Sequence, residues 1–416
     1  MIAGLIRSSK SVEKNTMWKW FNNNHKLFTV LVGVAVMLGL VMLWQQNDGS
    51  DNVVGYSSTT VKAEIVSILE EGTVDMGDTT QPYQVLLVKL LDGEQIGQTY
   101  QMEYGKYQLL SDNYKLRIGD KVLVNLESMG DGSYGIYFID HVRTNVLLIL
   151  LLIFIVTGIA MSGWKGVNSM ISMALSILVM FIYIIPQIIA GKDPIVVSLI
   201  GAFIFLSISQ YLVFGWTLKT HIALAGITFA VVITGLLSVL FVNWARLNGA
   251  GDESAMYLIQ LGDGLDIKKL LIAGIFIGTL GVMDDLVIGQ TSAVIELYRG
   301  NPDMNFSRRF KSAMEIGRDH VGATVNTLIL AYLGATLSMI VLYTMSSVDF
   351  SVLVNINYIA EEIVRSLVGT IGLFLAVPFT TLAACWVVAD EGRLGKLVHI
   401  FGPLINVNTV KSIHHH

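Results

Sequence analysis

Long apolar runs alternate with short polar joints along most of this chain, and the runs share one length. Stretches of ~20 apolar residues, enough to cross ~30 Å of hydrocarbon as a helix, fall near 27–44, 144–161, 167–190, 193–213, 217–242, 268–289, 321–345 and 362–387. The pattern predicts eight membrane spans, with the first set apart from the other seven. The sixth can run on toward Tyr298, because apolar positions persist past Gln290. Residues 46–143 follow another rhythm. The segments 61–69, 84–91 and 121–128 alternate or run apolar at strand length. Asp92-Gly93 and the Gly-Asp-Gly at 130–132 mark hairpin turns, where positive φ is tolerated. About five short strands in so few residues predict a small β-barrel of OB-like type.

Composition agrees with a membrane chain: 53% hydrophobic and 14% charged, with mean hydropathy +0.62, far from soluble averages. Orientation follows from basic residues. Arg7, Lys10, Lys14, Lys19 and Lys26 precede the first span, which places the N-terminus in the cytoplasm. Arg299, Arg308, Arg309, Lys311 and Arg318 then fall in an inner loop, and the C-terminus is cytoplasmic too. Trp18, Trp20, Trp44, Trp164, Trp216 and Trp244 sit at span ends, where amphipathic rings belong. The first span reads as an anchor, since LGLVMLWQQND offers no small-x-small cleavage site. The organisation expected is therefore a basic tail and anchor over 1–45, an extracytoplasmic β-rich domain over 46–143, a seven-span bundle over 144–390, and a cytoplasmic tail over 391–416. His414, His415 and His416 look like the remnant of a purification tag.

The charge pattern also excludes functions. Residues 46–143 carry 15 Asp and Glu against seven Lys and Arg, which repels nucleic acid. No GxxxxGK[ST] occurs, so this chain does not use ATP directly. The single Cys385 allows no intrachain disulfide, and no metal-ligand spacing or cofactor signature appears.

Chemistry concentrates in two polar segments. Asp284 and Asp285 stand side by side in GTLGVMDDLVIGQTSAVIEL (278–297). A carboxylate at bilayer depth costs at least ~2.5–3.5 kcal/mol on insertion scales, and two neighbours compete for one proton. They read as a proton- or cation-coupling pair, or else as a polar knot that fixes helix packing. Gln290 and Ser292 follow them within two turns as supporting polar groups. The second segment is IGRDHVGATVNTLILAYLGATLSM (316–339). Its Arg318, Asp319 and His320 open a span, and Asn326 and Thr327 lie deeper, needing interhelical partners. Between the two, Phe306, Phe310, Ala313 and Met314 recur at helical spacing against basic residues, which predicts a short amphipathic helix near 303–316 on the inner leaflet. Glu361, Glu362 and Arg365 read as an exposed ion-paired helix entry, and Pro378 as a kink. Gln210 and Tyr211 can face the bundle interior.

The chain resembles the YibE/F-like family of bacterial membrane proteins over about 60–416. The resemblance rests on the anchor, β-domain and multispan layout, on GTLGVMDDLVIGQTSAVIELYRGNP (278–302) and on IGRDHVGATVNTLILAYLGA (316–335). It implies a plasma-membrane location. GVMDDLVIGQTSAVIELYRG is also similar to the span of resistance-nodulation-division pumps whose aspartate pair carries protons, which implies proton coupling at Asp284 and Asp285. This chain departs from those pumps in its span number, its smaller outer domain and the lack of Ala after the pair. The expectation is an α-helical polytopic protein acting as a proton- or cation-coupled secondary transporter, with an unidentified small-molecule or lipid substrate and room for homo-oligomers. A non-transporting sensor or accessory subunit is the second reading, and an intramembrane lipid-modifying enzyme the third.

Overall fold

The computed structural model describes residues 25–45, 60–75, 80–107, 115–128, 134–251, 253–261, 264–346 and 348–405. Arg7, Lys10, Lys14, Lys19, Trp18, Trp20, the turn at 130–132 and His414–His416 lie outside these residues. The chain divides into two compact units, Met42–Met161 and Met1–Val41 with Ser162–His416.

In the first unit, five strands form one antiparallel sheet: β1 (Thr60–Asp75), β2 (Thr80–Leu90), β3 (Thr99–Tyr104), β4 (Lys121–Ser128) and β5 (Tyr134–His141), in the order β3-β2-β1-β4-β5. All three segments expected to be strands are strands. Ala63, Ile65, Leu86, Val88, Met102, Val122 and Val124 are fully buried, and their spacing of two puts them on one face. Register shifts after Ile65 and Ile68 bend the 16-residue β1 and curl the sheet. The Asp92-Gly93 turn is present, with Gly93 at φ 84°. The OB-like closed barrel is corrected to a half-barrel. Its edges β3 and β5 meet through side chains, Tyr104 on Phe138 at 4.8 Å, and no ladder joins them.

The helices are α1 (His25–Gln45), α2 (Thr144–Val179, extended by a π-turn and a last stretch to Ile189), α3 (Pro194–Phe214), α4 (Leu218–Trp244), α5 (Glu253–Leu261), α6 (Ile267–Gly300), α7 (Phe306–Ala335), α8 (Leu337–Met345), α9 (Asn357–Val388) and α10 (Glu391–Phe401). Among the described residues, five stretches are long and apolar enough to cross a membrane: Thr144–Ile189, α3, α4, α6 and α9. The number is six when α7 and α8, bent 58° apart, count as one. The expected spans 144–161 and 167–190 share one 46-residue stretch, broken at Gly163 (φ 54°, ψ −136°).

α6 is the centre of the second unit and packs against α3, α4, α7 and α9. Its buried side chains, among them Ile275, Phe276, Met283, Leu286 and Val287, cover most of its circumference and leave one exposed stripe that includes Gly278, Gly281 and Asp285. The crossing with α9 is close because glycines make it so. A Cβ on Gly369 would stand 2.2 Å from Thr279, and one on Gly372 2.6 Å from Met283.

Two helical expectations need correction. The amphipathic stretch near 303–316 is not a separate helix: Asn305 caps it by accepting from the Arg308 N–H at 2.8 Å, and it runs unbroken through Gly317 to Ala335. Glu361 is not an exposed ion-pair member. It is buried and accepts from the Gly249 N–H (3.0 Å) and Asn357 Nδ2 (2.7 Å), while Arg365 pairs with Glu362 at 3.4 Å. A buried carboxylate needs such donors, and the loop backbone at Gly249 supplies one.

Candidate functional site

Helix α6 begins where Asp266 accepts from the Lys269 N–H (3.0 Å) and ends at Asn301, next to Pro302, which cannot continue a helix. It therefore takes the longer of the two lengths that the apolar pattern allowed, and Asp284 and Asp285 fall at its midpoint. Consecutive helix positions diverge by about 100°, so the two carboxylates have different surroundings. Asp284 is half-buried and turned toward α3, where the fully buried Gln210 donates to its Oδ1 through Nε2. Asp285 is exposed and lies within electrostatic reach of His320 on α7. No Lys or Arg acts on either carboxylate among the described residues.

One turn further along α6, Gly289 lies beside the His320 ring, where a Cβ would meet the imidazole at an ordinary contact distance of 3.5 Å. Gln290 follows, fully buried, and ties three helices together. Its Nε2 donates to the Ala313 carbonyl on α7 (2.8 Å) and to Thr381 Oγ1 on α9 (2.7 Å). Gly317 on α7 makes room for it, since a Cβ would come within 2.8 Å of the Gln290 amide. Ser292 bonds only to the Ile288 carbonyl of its own helix, at 2.6 Å.

The remaining polar candidates are on α7. Arg318, Asp319, Asn326 and Thr327 are exposed. Thr327 donates to the Ala323 carbonyl at 3.1 Å, and neither it nor Asn326 is hydrogen-bonded to an aspartate. The structure thus joins Asp284 to α3 and Gln290 to α7 and α9, and brings His320 near Asp285. Gln210 and Thr381 are the partners that sequence reasoning did not assign to the site. A lone glutamine in the apolar run IFLSISQYLVF was the available signal for the first, and a threonine beside Pro378 for the second.

The model of the YibE/F-like protein family matches residues 150–390. The chain belongs to the YibE/F-like family. The matched region of this YibE/F-like chain contains α3 to α9 and every candidate site residue, and it leaves the sheet outside. The resemblance expected over about 60–416 is shown over residues 150–390. No curated protein and no solved structure matches the chain. Family and apolar helices together fit a membrane protein.

Proposed function

We propose that this chain is a proton-coupled secondary transporter of a bacterial plasma membrane, with Asp284 as the group that takes up and releases the proton. The observation that carries the reading is the placement of Asp284. It sits at the midpoint of the central apolar helix, half-buried, held by a neutral amide and, among the described residues, without a basic partner. A packing knot would be served better by a permanently paired group. A carboxyl that alternates between charged and neutral forms suits an intramembrane site that is only partly solvated.

In this reading Asp285 faces the wet side of the same site, and His320, exposed beside Gly289, passes protons between it and the inner surface. Gln290 holds α6, α7 and α9 in register around the site. Asn326, Thr327 and Ser292 are its polar wall, and Arg318 and Asp319 mark the inner boundary. Both termini are cytoplasmic, the sheet is extracytoplasmic, and the stretch Thr144–Ile189 crosses twice with Gly163 between the crossings. A single straight 46-residue helix would run ~69 Å, more than twice the hydrocarbon thickness. The substrate is a small molecule or lipid. The resemblance to the aspartate-pair span of resistance-nodulation-division pumps supports the coupling ion.

A second reading, an accessory subunit that binds an outer partner, draws support from the sheet, which exposes Ile96, Tyr107 and Ile118. Carbodiimide labelling tests the first. A hydrophobic carbodiimide attacks protonated carboxyls inside membranes, so mass spectrometry should find an adduct on Asp284 that declines as pH rises. Adducts confined to loop carboxylates at every pH would contradict the proposal.

A further inference from the structure

We infer that Gln210 is the other half of the ion-coupling site. Its amide offers NH2 to ionised Asp284 and turns over to offer its carbonyl when Asp284 is protonated, so that α3 registers the proton. The inference rests on the reading of Asp284 as the proton carrier.

Gln210 is fully buried, and its amide is half used. Nε2 donates to Asp284, while Oε1 is buried with no partner. A buried acceptor without a donor is rare in folded proteins and calls for a reason. Amide oxygen and nitrogen have nearly the same shape, so a half-turn about the last side-chain bond exchanges them without disturbing the packing. With Asp284 ionised, the observed arrangement is the good one, since a carboxylate only accepts. With Asp284 protonated, the new O–H would meet an N–H, two donors face to face. Turning the amide sets Oε1 opposite that O–H.

The displaced NH2 then needs an acceptor. Ser207 stands one turn earlier on α3, at i−3; its buried Oγ has no partner either, so it lies outside hydrogen-bond reach of Oε1 as placed, and a rotation about its χ1 must bring it to the displaced NH2. The exchange is balanced. A proton joins an Asp284 oxygen, the N–H···O bond from Gln210 breaks, an O–H···O bond to Gln210 forms, and no electrons are transferred.

Among the described residues, Gln210 and Asp285 are the groups that act on Asp284. Asp285 is adjacent on α6 itself, and His320 on α7 acts on Asp285. The buried side chains that α4 and α9 bring to this core, Ile227, Ala230, Val231, Leu373, Ala376 and Val377, do not titrate. Gln210 is thus the group through which α3 can sense the charge on Asp284.

Infrared difference spectroscopy between acid and alkaline pH tests this on the full chain in lipid, with glutamine carrying a 13C carbonyl. The expected spectrum has two linked features. One is a carboxylic-acid band that Asp284→Asn removes. The other is a shift of a labelled amide carbonyl that Gln210→Met removes, and Gln210→Asn removes it as well if the methionine variant does not fold. Proton flux in Gln210→Asn, whose shorter amide cannot bridge the helices, should fall several-fold. An Asp284 band without any glutamine shift overturns the role of Gln210 and leaves the proton site standing. Absence of an Asp284 band overturns both. A glutamine shift driven by sodium at constant pH assigns the site to a cation and overturns the proton form of the inference.

Discussion

Polar side chains inside the bundle divide into those that bond to their own helix and those that reach another. Thr291 to the Val287 carbonyl (2.9 Å) and Ser292 to Ile288 (2.6 Å) are of the first kind and satisfy themselves one turn back. Gln210 and Gln290 are of the second kind, and they carry the information about which helices meet. Asp193, between Ile189 and Pro194, shows how a carboxylate outside the spans is used. It caps α3 by accepting from the Ile195 N–H (3.0 Å) and pairs with Lys269 at 2.8 Å. The Lys269 ammonium, and then the two backbone N–H groups, hold its carboxyl below the ordinary carboxylate value. A depressed folded value means that the contribution is complete above the ordinary value and is lost as pH falls through the lowered one. Asp193→Ala should therefore destabilise the protein by about 0.5–2 kcal/mol at neutral pH, the usual cost of a lost N-cap. Thermal unfolding in detergent should show the difference from wild type closing in acid, as pH falls through the lowered value. A difference that persists there would show that the carboxylate charge is not what matters.

Elements meet where small residues allow it, and α9 packs on both α4 and α6 in this way. The Thr234 hydroxyl on α4 and the Met283 side chain on α6 both occupy the space beside Gly372. Gly372→Ala should cost about 1–3 kcal/mol through overpacking, read as a lower unfolding temperature in detergent. An unchanged temperature would mean that the helices separate more easily than their contacts suggest. Apolar length and the lone polar positions made most helices legible in the sequence, and α6 and its aspartate pair most of all. Three features were not legible. Gly163 looks like any helical glycine until its φ of 54° is seen. The stretch from Phe306 continues through Gly317 because Gln290 fills the space a side chain would take, a tertiary fact with no local signal. Glu361 reads as a surface acid because the N–H it binds, that of Gly249, is 112 residues away.

At the scale of the whole molecule, two kinds of material are joined: a small curled sheet and a bundle whose central helix bears the candidate site. The strand segments and the alternation of the sheet could be read from sequence. Its open edges could not, because edge pairing between β3 and β5 depends on geometry that a pattern of period two does not encode. Topology gives a test of the proposed orientation. Ile96, exposed in the loop between β2 and β3, can carry a cysteine in a chain whose Cys385 is replaced by alanine. Ile96→Cys should react with a membrane-impermeant thiol reagent on intact cells, and reaction only after permeabilisation would invert the assignment. The central claim concerns Asp284, and the most direct measurement is proton movement into liposomes containing the purified chain, followed with an internal pH dye under an imposed pH gradient. The account predicts substrate-dependent proton entry in wild type that is lost in Asp284→Asn while unfolding temperature stays unchanged. Equal proton entry in wild type and Asp284→Asn would contradict it.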